Sequence, residues 1–198
     1  MKQHSLDILL RPRSIAFVGA SDRPNSTGAA MLAMCLIDGF DGKIFSINPR
    51  LSTLNGGPCY ADLKALPEVP DHVVIGVASR FVEAVVDQAL ELGIRAATIF
   101  ASCYLDDDAS PRLPARIAAK ASSAGMQICG ANCMGFYTPS AGLRVASVAS
   151  PIGLQKGGIT WIAQSGSAFG ALSHNDRRLG FNLVVSTGME LVTTVADY

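Results

Sequence analysis

Short β-branched runs alternate with amphipathic stretches along most of this chain, and this alternation restricts its fold more than any other feature. The run HVVIGVA at 72–78 is continuous and apolar, which is typical of a strand buried on both faces of a sheet. A helical pattern follows over 81–92, and Gly93 ends it. Repeated strand–helix units of this kind build a parallel sheet with helices on its faces. The sequence therefore predicts an α/β protein.

The same alternation divides the chain into a large first unit and a smaller second one. The strands predicted for the first unit are Ser14–Ala20, Lys43–Asn48, His72–Ala78, Ala96–Ala101 and Met126–Cys129. Helices are predicted over 27–38, 81–92 and 113–123, with a helical turn over 62–66. The second unit has predicted strands over 158–163 and 182–186, a helix over 167–179 and another helix starting near Leu191. We therefore expect a first domain over 1–140, a linker over 141–157 and a truncated second domain over 158–198.

Composition excludes several classes of function. Of the 198 residues 49% are apolar and 16% are charged, and the formal net charge is zero. Such a chain can bury a core but offers no general attraction to nucleic acid or to an anionic membrane. No run reaches the roughly 18 apolar residues of a membrane span, and the segment before Arg13 lacks the apolar core of a signal peptide. We expect a soluble, cytoplasmic protein.

The five cysteines are expected to be free, buried thiols. Cys129 and Cys133 form a close pair in the sequence, but no second pair and no nearby histidine completes a set of four ligands. No metal site is predicted.

The turn after the first predicted strand is the first candidate binding site. Chain that leaves the carboxyl end of a parallel strand and enters a helix presents free N–H groups, which together with the helix dipole bind phosphate whatever the net charge. The candidate residues are Gly19, Ala20, Ser21, Arg23, Ser26, Thr27 and Gly28. The alternative is an ordinary loop in which Ser26 only caps the helix. Ligands favour this crevice in doubly wound sheets, which supports the phosphate hypothesis.

The end of the second predicted strand narrows the choice of ligand. NAD sites place Asp or Glu there to hold the ribose hydroxyls, whereas this chain has Asn48, Pro49 and Arg50. An arginine suits an additional ribose phosphate, which both coenzyme A and NADP carry. The spacing of the preceding turn matches neither the dinucleotide fingerprint nor the P-loop. A solvated surface arginine is the competing interpretation.

Two further loops follow predicted strands. The loop GANCMGF at 130–136 places Asn132 and Cys133 between two glycines, facing the same crevice. The loop AQSGS at 163–167 leads into a predicted helix, and Ser165 and Gly166 at the helix start form a second candidate anion-binding site. The nucleophile elbow of a hydrolase requires the pattern G-x-S-x-G at such a turn. Ala163 and Ser167 replace the two glycines here, which argues against a hydrolase.

Taken together these segments resemble the NDP-forming acyl-CoA synthetases and the alpha subunit of succinyl-CoA synthetase. The resemblance follows the chain in order through the segments LLRPRSIAFVGASDRPNSTG, INPR, VVIGVASRF, GANCMGFYTP and GGITWIAQSGS with LGFNLVVSTGMEL. It implies a Rossmann-like CoA-binding domain followed by the beginning of a flavodoxin-like α/β domain. The stretch from Ala101 to Tyr104 and the Met189 position depart from the family's pattern.

The resemblance also assigns roles to individual positions. It implies that 19–21 and 26–28 contact CoA phosphates and that 48–50 lie along the nucleotide. Val77 and Ala78 would flank the nucleotide, whereas Asn132 and Cys133 would line the route between the thiol and the acyl phosphate. Ser165 and Gly166 would open the helix that receives the family's phosphorylated histidine.

None of His4, His72 and His174 occupies the position of that histidine, so no catalytic residue is expected in this fragment. The implied function is the CoA-binding part of an acid–thiol ligase. Coenzyme A and a carboxylic acid or acyl-CoA are the implied ligands, and ATP or ADP with Mg²⁺ would bind to an ATP-grasp module in cis or in trans. A homo-oligomer is a further expectation. The alternatives are a non-catalytic CoA- or nucleotide-sensing module and an NADP-dependent oxidoreductase.

Overall fold

The structure is a computed structural model that describes residues 4–148, 150, 153–175 and 178–198, and the side chains of 174 and 175 lie outside the description. The helices are α1 Asp7–Leu10, α2 Thr27–Ile37, α3 Ser79–Glu91, α4 Leu113–Ser123 and α5 Gly166–Asn175, with 3₁₀ turns at Leu63–Ala65 and Pro139–Ala141. The strands are β1 Ser14–Val18, β2 Lys43–Ile47, β3 Thr53–Leu54, β4 Gly57–Tyr60, β5 His72–Ile75, β6 Ala96–Ile99, β7 Gln127–Gly130, β8 Gly135–Thr138, β9 Leu143–Ala146, β10 Gln155–Ala163 and β11 Gly180–Ser186.

The first sheet has the strand order β3-β4-β2-β1-β5-β6-β7. Its five principal strands, β2, β1, β5, β6 and β7, are parallel. From β1 the chain first runs outward to β2 and then returns to β5 on the other side. The strand order therefore reverses between β1 and β5, which is where doubly wound sheets bind their ligands. The predicted α/β class and Rossmann-like arrangement are confirmed.

Helices and a second sheet cover the two faces of the first sheet. One face packs against α3 and α4 through residues such as Val82, Val86 and Ile117. The other face packs against α1, α2 and strands of the second sheet, with Phe17 and Phe136 in the same apolar cluster. The protein is therefore three layers thick at its centre, and the middle layer is the parallel sheet.

The second sheet has the order β10-β11-β8-β9. Strands β10 and β11 are parallel and joined through α5, whereas β8 and β9 form an antiparallel hairpin beside β11. Leu143–Ala146, in the predicted linker, is thus a fully buried strand. The hairpin starts before residue 140, so the second sheet uses chain that we assigned to the first domain. The division at 140 and 157 remains a prediction.

A helix predicted to start near Leu191 is absent, and this prediction was wrong. The chain over 191–198 forms bends and turns along the outer edge of β7. The Leu191 amide donates to the Gly130 carbonyl at 2.9 Å, and the Ile128 amide donates to Thr193 Oγ1 at 3.1 Å. Pairing of these edge groups with the tail covers an exposed strand edge, which outweighs the local helical pattern.

The β3–β4 hairpin was not predicted, although its signal is present in the sequence. Asn55 and Gly56 form its turn with φ values of 50° and 79°. Asn-Gly is the strongest short-range sequence signal for a tight hairpin, because both residues tolerate the positive φ that the turn requires. Within the described residues, no helix is both long and apolar enough to cross a membrane.

Helix α2 lies between the two sheets, and an ion pair with a fully buried arginine fixes its end. Arg144 on β9 is fully buried and pairs with Asp38, the C-cap residue of α2. Arg144 Nη2 donates to Asp38 Oδ1 at 2.8 Å, and Arg144 Nε donates to Oδ2 of the same carboxylate. The pair therefore joins the second sheet to the helix whose other end forms the β1–α2 turn.

We predict that Asp38→Ala lowers the free energy of unfolding by about 3 kcal/mol, because it leaves a buried guanidinium without its carboxylate. Urea unfolding would measure the change. Asp41→Ala, at an exposed position three residues further along the chain, is the matched control and should change stability by less than about 0.5 kcal/mol. Equal stabilities of the two variants would contradict the structural role of the pair.

His72 lies on β5, where the two sheets meet. Its ring is completely buried and stacks on Phe136 with 5.9 Å between centroids, and its Nε2 lies 3.0 Å from Thr98 Oγ1. Burial lowers the pKa of His72 from 6.5 to about 3, and the Leu9 carbonyl and Asp71 oppose the shift. The folded protein therefore holds a neutral imidazole at this position.

We predict a loss of stability of about 2 kcal/mol from His72 between pH 7 and pH 5. In this range the unfolded chain binds a proton at His72 and the folded chain does not, so stability falls as pH falls below 6.5 towards 3. Urea unfolding of the wild type and of His72→Gln at both pH values would show how much more the free energy of unfolding of the wild type falls between pH 7 and pH 5. Parallel pH dependences would refute the assignment.

Candidate functional site

The carboxyl ends of the paired strands β1 and β5 lie side by side, and a glycine follows each strand. Gly19 follows β1 with φ +91°, and Gly76 follows β5. A Cβ on Gly19 would lie 2.9 Å from the Gly76 carbonyl oxygen and from Val77 Cγ1. The absence of a side chain at Gly19 keeps the crevice at the reversal point open to a ligand.

The β1–α2 turn, residues 19–28, closes on itself at its two terminal glycines. A Cβ on Gly28 would overlap the carbonyl oxygen of Gly19 and lie 3.0 Å from Ser21 Cβ. The first turn of α2 therefore rests directly on the backbone that leaves β1. This contact aims the amino end of α2 across the carboxyl edge of the sheet.

The hydroxyl of Ser26 caps α2 and is fully used inside the turn. Ser26 Oγ accepts from the Ala29 amide at 3.1 Å and donates to the Arg23 carbonyl at 2.7 Å. Thr27 and Gly28 are the first two residues of the helix, so their N–H groups have no carbonyl one turn earlier in the helix to accept a hydrogen bond. Backbone amides, rather than the Ser26 hydroxyl, are thus the donors that the helix start presents to an anion.

Asn48 organises the turn from the neighbouring strand. Its Nδ2 donates to the Ala20 carbonyl at 2.8 Å, and its Oδ1 accepts from the Arg50 amide at 3.0 Å. Both ends of the Asn48 amide are therefore used to hold the loop after β2 against the β1–α2 turn. This arrangement places Arg50 beside the turn. In the part of the chain that the structure describes, no carboxylate forms an ion pair with Arg23 or Arg50.

Three adjoining cavities run along this edge of the sheet, and we call them together the groove. The central cavity, about 570 Å³, is formed by the β1–α2 turn with Asn48 and Arg50. A second cavity of about 380 Å³ shares Gly19, Asn48 and Arg50 with it. A third cavity of about 980 Å³ shares Thr27 and Gly76 with the central one. The groove is thus continuous across the reversal point.

The 380 Å³ cavity is the apolar end of the groove. Val18, Ile47, Leu63, Val77 and Phe81 contribute to its wall. The Phe81 ring is half exposed, and the Arg80 guanidinium carbon lies 4.6 Å from its centroid. A flat, apolar ring system of a ligand fits such a surface.

The 980 Å³ cavity at the other end brings together the two loops that follow β7 and β10. Asn132 is exposed with φ +52°, and Cys133 is 5% exposed. The first turn of α5 completes the wall through Gly166, at which a Cβ would overlap the Met134 side chain. The Cys129 thiol and burial together raise the pKa of Cys133 above the usual range of a thiol, so Cys133 is a neutral group at the groove.

Most of the predicted site residues lie on the groove. Those that line it are Gly19, Ser21, Arg23, Ser26, Thr27, Gly28, Asn48, Pro49, Arg50, Val77, Ala78, Asn132, Cys133 and Gly166. Ala20 is fully buried and contributes its carbonyl to Asn48. Ser165 lies outside the cavity wall and caps α5, accepting from the Ala168 amide at 3.4 Å.

The turn over 187–191, which was not among the predicted sites, joins the loops that form the 980 Å³ cavity. The Met189 amide donates to the Ala131 carbonyl at 2.7 Å, and Gln164 Nε2 donates to the Gly188 carbonyl at 3.1 Å. A Cβ on Gly188 would overlap the Ala131 carbonyl oxygen. Of this turn only the Met189 position was noted, as a departure from a family pattern, because contacts between segments distant in sequence leave no local signal.

Comparison with known proteins gives consistent matches. The family model described as "CoA binding domain" matches residues 13–139. A trans-feruloyl-CoA synthase from an unknown prokaryotic organism is 32% identical over 98% of this chain and 28% of its own length. The alpha subunit of ADP-forming acetate–CoA ligase I from Pyrococcus furiosus is 27% identical, over 98% of this chain and 41% of that protein. This chain thus spans less than half the length of these relatives.

A solved structure has the same arrangement. The dinucleotide-forming acetyl-coenzyme A synthetase 1 of Candidatus Korarchaeum cryptofilum, solved in complex with phosphate and ADP, superposes with a TM-score of 0.88. The sequences are 30% identical, and the match covers 97% of this chain and 41% of the other. The similarity therefore includes the second sheet as well as the parallel one.

We predict that Gly28→Ala lowers the free energy of unfolding by about 1–3 kcal/mol, because the added methyl forces α2 away from the Gly19 carbonyl. Thermal or urea unfolding would measure the effect. Gly158→Ala is the matched control, since a Cβ there meets no atom within 4 Å. A Gly28→Ala protein as stable as the control would show that α2 does not rest on the β1–α2 turn.

Proposed function

This chain belongs to the family of CoA binding domains, and we propose that its groove binds coenzyme A along the whole carboxyl edge of the parallel sheet. The diphosphate lies on the β1–α2 turn, the adenine lies at the apolar end of the groove, and the thiol lies beside Cys133. The observation that carries this proposal is the start of α2, where Gly28 packs on the Gly19 carbonyl and the first helical residues, Thr27 and Gly28, form part of the wall of the central cavity.

The electrostatics of the groove favour a ligand with several phosphates. Open amides at a helix start and the helix dipole stabilise a diphosphate locally, which a chain of zero net charge requires. Arg50, exposed and beside the same turn, supplies a guanidinium for a phosphate on the ribose. The loop after β2 offers no carboxylate at positions 48–50 to hold free ribose hydroxyls. Coenzyme A fits this combination.

The shape of the groove favours the same ligand over a simple nucleotide. Its two outer cavities lie on opposite sides of the phosphate-binding turn. Adenine fits the apolar wall with Val77 and Phe81, and the long pantetheine arm extends towards Asn132 and Cys133. The neutral thiol of Cys133 and the amide of Asn132 place no charge against an uncharged acyl thioester.

For the intact protein we propose an NDP-forming acid–thiol ligase. A carboxylic acid, the CoA thiol and ATP would give acyl-CoA, ADP and phosphate, with the phosphoryl group carried by a histidine outside this chain. An ATP-grasp module, in cis or in trans, would supply the nucleotide and Mg²⁺ site. The separate alpha subunit among the relatives supports a partner in trans. The open start of α5 at Gly166 would receive the phosphorylated group.

Isothermal titration of the 198-residue chain with CoA and with NADP tests the binding proposal. We expect binding of CoA and little or no heat with NADP. Binding of NADP without a CoA signal would overturn the proposal in favour of an oxidoreductase. The ligase proposal is tested separately by joining this chain to an ATP-grasp component and measuring CoA-dependent ADP formation with acetate and with ferulate, the acids in the relatives' names.

We predict that Arg50→Ala weakens CoA binding by about tenfold, because it removes a charge-assisted contact with the ribose phosphate. Dephospho-CoA lacks that phosphate, so its affinity should change by less than about twofold in the same variant. Titration of both ligands into the wild type and the variant measures the coupling free energy between the Arg50 side chain and the ribose phosphate.

Arg95→Ala is the matched control for this cycle. Arg95 is exposed and precedes β6, so it lies at the amino edge of the sheet, opposite the groove. Its replacement should leave both affinities unchanged. Equal losses for CoA and dephospho-CoA in Arg50→Ala would show that Arg50 does not recognise the ribose phosphate.

A further inference from the structure

Two of the five cysteines lie next to each other at the end of the groove. Cys129 Sγ and Cys133 Sγ are 3.9 Å apart, and both are buried thiols. Cys133 also forms part of the wall of the 980 Å³ cavity, beside Val77, Asn132 and Gly166. A pair of thiols in contact, one of them facing a ligand cavity, is an arrangement that a catalytic or regulatory exchange of disulfides requires.

The remaining cysteines provide a contrast within the same chain. Cys35, Cys59 and Cys103 are also buried and free. Burial raises the pKa of Cys35 to about 12 and that of Cys103 to about 11. None of these three lines the groove in the part of the chain that the structure describes.

We propose that Cys133 and Cys129 form a dithiol that reduces disulfides of coenzyme A held in the groove. This inference rests on the proposed function, because the nucleotide part of the ligand must occupy the β1–α2 turn for its sulfur to reach Cys133. A disulfide of CoA carries the same nucleotide as CoA itself. The 980 Å³ cavity beside Cys133 is open to solvent, so the second half of the disulfide can extend out of it.

The exchange has two balanced steps. Cys133 attacks the CoA disulfide, which forms a mixed disulfide between Cys133 and CoA, and the released CoA sulfur takes up the proton that Cys133 loses. Cys129 then attacks the Cys133 sulfur, which forms the Cys129–Cys133 disulfide, and the second released CoA sulfur takes up the proton that Cys129 loses. The two protein thiols are oxidised by two electrons and the CoA disulfide is reduced by two. A disulfide bond is about 2.0 Å long, so the sulfurs approach by about 2 Å.

The ligand, and not the reactivity of the thiol, makes the reaction selective. The thiolate is the attacking species, and Cys133 is mostly protonated at neutral pH because the Cys129 thiol and burial raise its pKa. Oxidants that encounter it from solution therefore react slowly. A disulfide held by its nucleotide is present at a high effective concentration, in the millimolar range for a short tether, which offsets the small thiolate fraction.

The test uses the reduced 198-residue chain, incubated without oxygen with CoA disulfide or with an equal concentration of glutathione disulfide. We expect loss of two hydrogens from the intact mass, and release of two CoA thiols per chain. Oxidation should be at least about tenfold faster with CoA disulfide than with glutathione disulfide. Trypsin cuts after Lys120 and Arg144 but not between them, so one peptide, 121–144, should carry the new bond.

Single variants separate the two steps. Cys129→Ala should stop at the mixed disulfide and retain CoA on Cys133, whereas Cys133→Ala should acquire neither the CoA adduct nor the intramolecular bond. Cys35→Ala, which replaces a buried thiol away from the groove, is the matched control and should behave as wild type. Thermal melts of each variant check that it folds.

The outcomes distinguish this inference from the proposed function. If reduced CoA binds by calorimetry but the wild type keeps both thiols, the inference fails and CoA binding stands. Equal rates with glutathione disulfide, or a mixed disulfide that the wild type never resolves, would also overturn it. If reduced CoA does not bind at all, the proposed function itself fails.

Discussion

The structure depends on one close contact, where the first turn of α2 rests on the backbone that leaves β1. Gly28 over the Gly19 carbonyl fixes the direction of α2 at its start, and the ion pair of Asp38 with the buried Arg144 fixes it at its end. The same helix is therefore the proposed phosphate-binding element at one end and a joint between two sheets at the other.

A neutral protein can hold a highly anionic ligand when its donors are backbone groups. Amides at a helix start carry partial charge that does not enter the net charge of the chain. Their positions are set by packing rather than by flexible side chains, so little conformational entropy is lost on binding. Here Asn48 uses both ends of its amide to hold the turn. Arg50 has no carboxylate partner in the described chain, which leaves its guanidinium available for the proposed contact with the ribose phosphate.

The two sheets meet again at the thiol end of the groove. The turn over 187–191 forms hydrogen bonds with the loop after β7 and with Gln164, so the wall around Cys133 belongs to both sheets. The proposed ligase chemistry and the proposed disulfide exchange both require a carrier thiol brought to this wall. They differ in the group that reacts with the carrier sulfur. In the ligase this group is an acyl phosphate formed from the phosphorylated group at α5, and in the disulfide exchange it is the buried dithiol of Cys129 and Cys133.

The sequence by itself determined the parallel sheet, the β1–α2 turn and the lack of an acidic residue after β2, because those signals are local: buried apolar runs, glycines at strand ends and a helix cap at Ser26. The Asn55–Gly56 hairpin was equally local and could have been predicted. Only the tertiary structure decided the rest. It placed Leu143–Ala146 in a second sheet, laid the tail after Leu191 along β7 and brought Cys129 against Cys133 at the groove. These arrangements come from pairing and packing between segments distant along the chain, or from a loop held by such contacts, and a one-dimensional pattern does not encode which segments will meet.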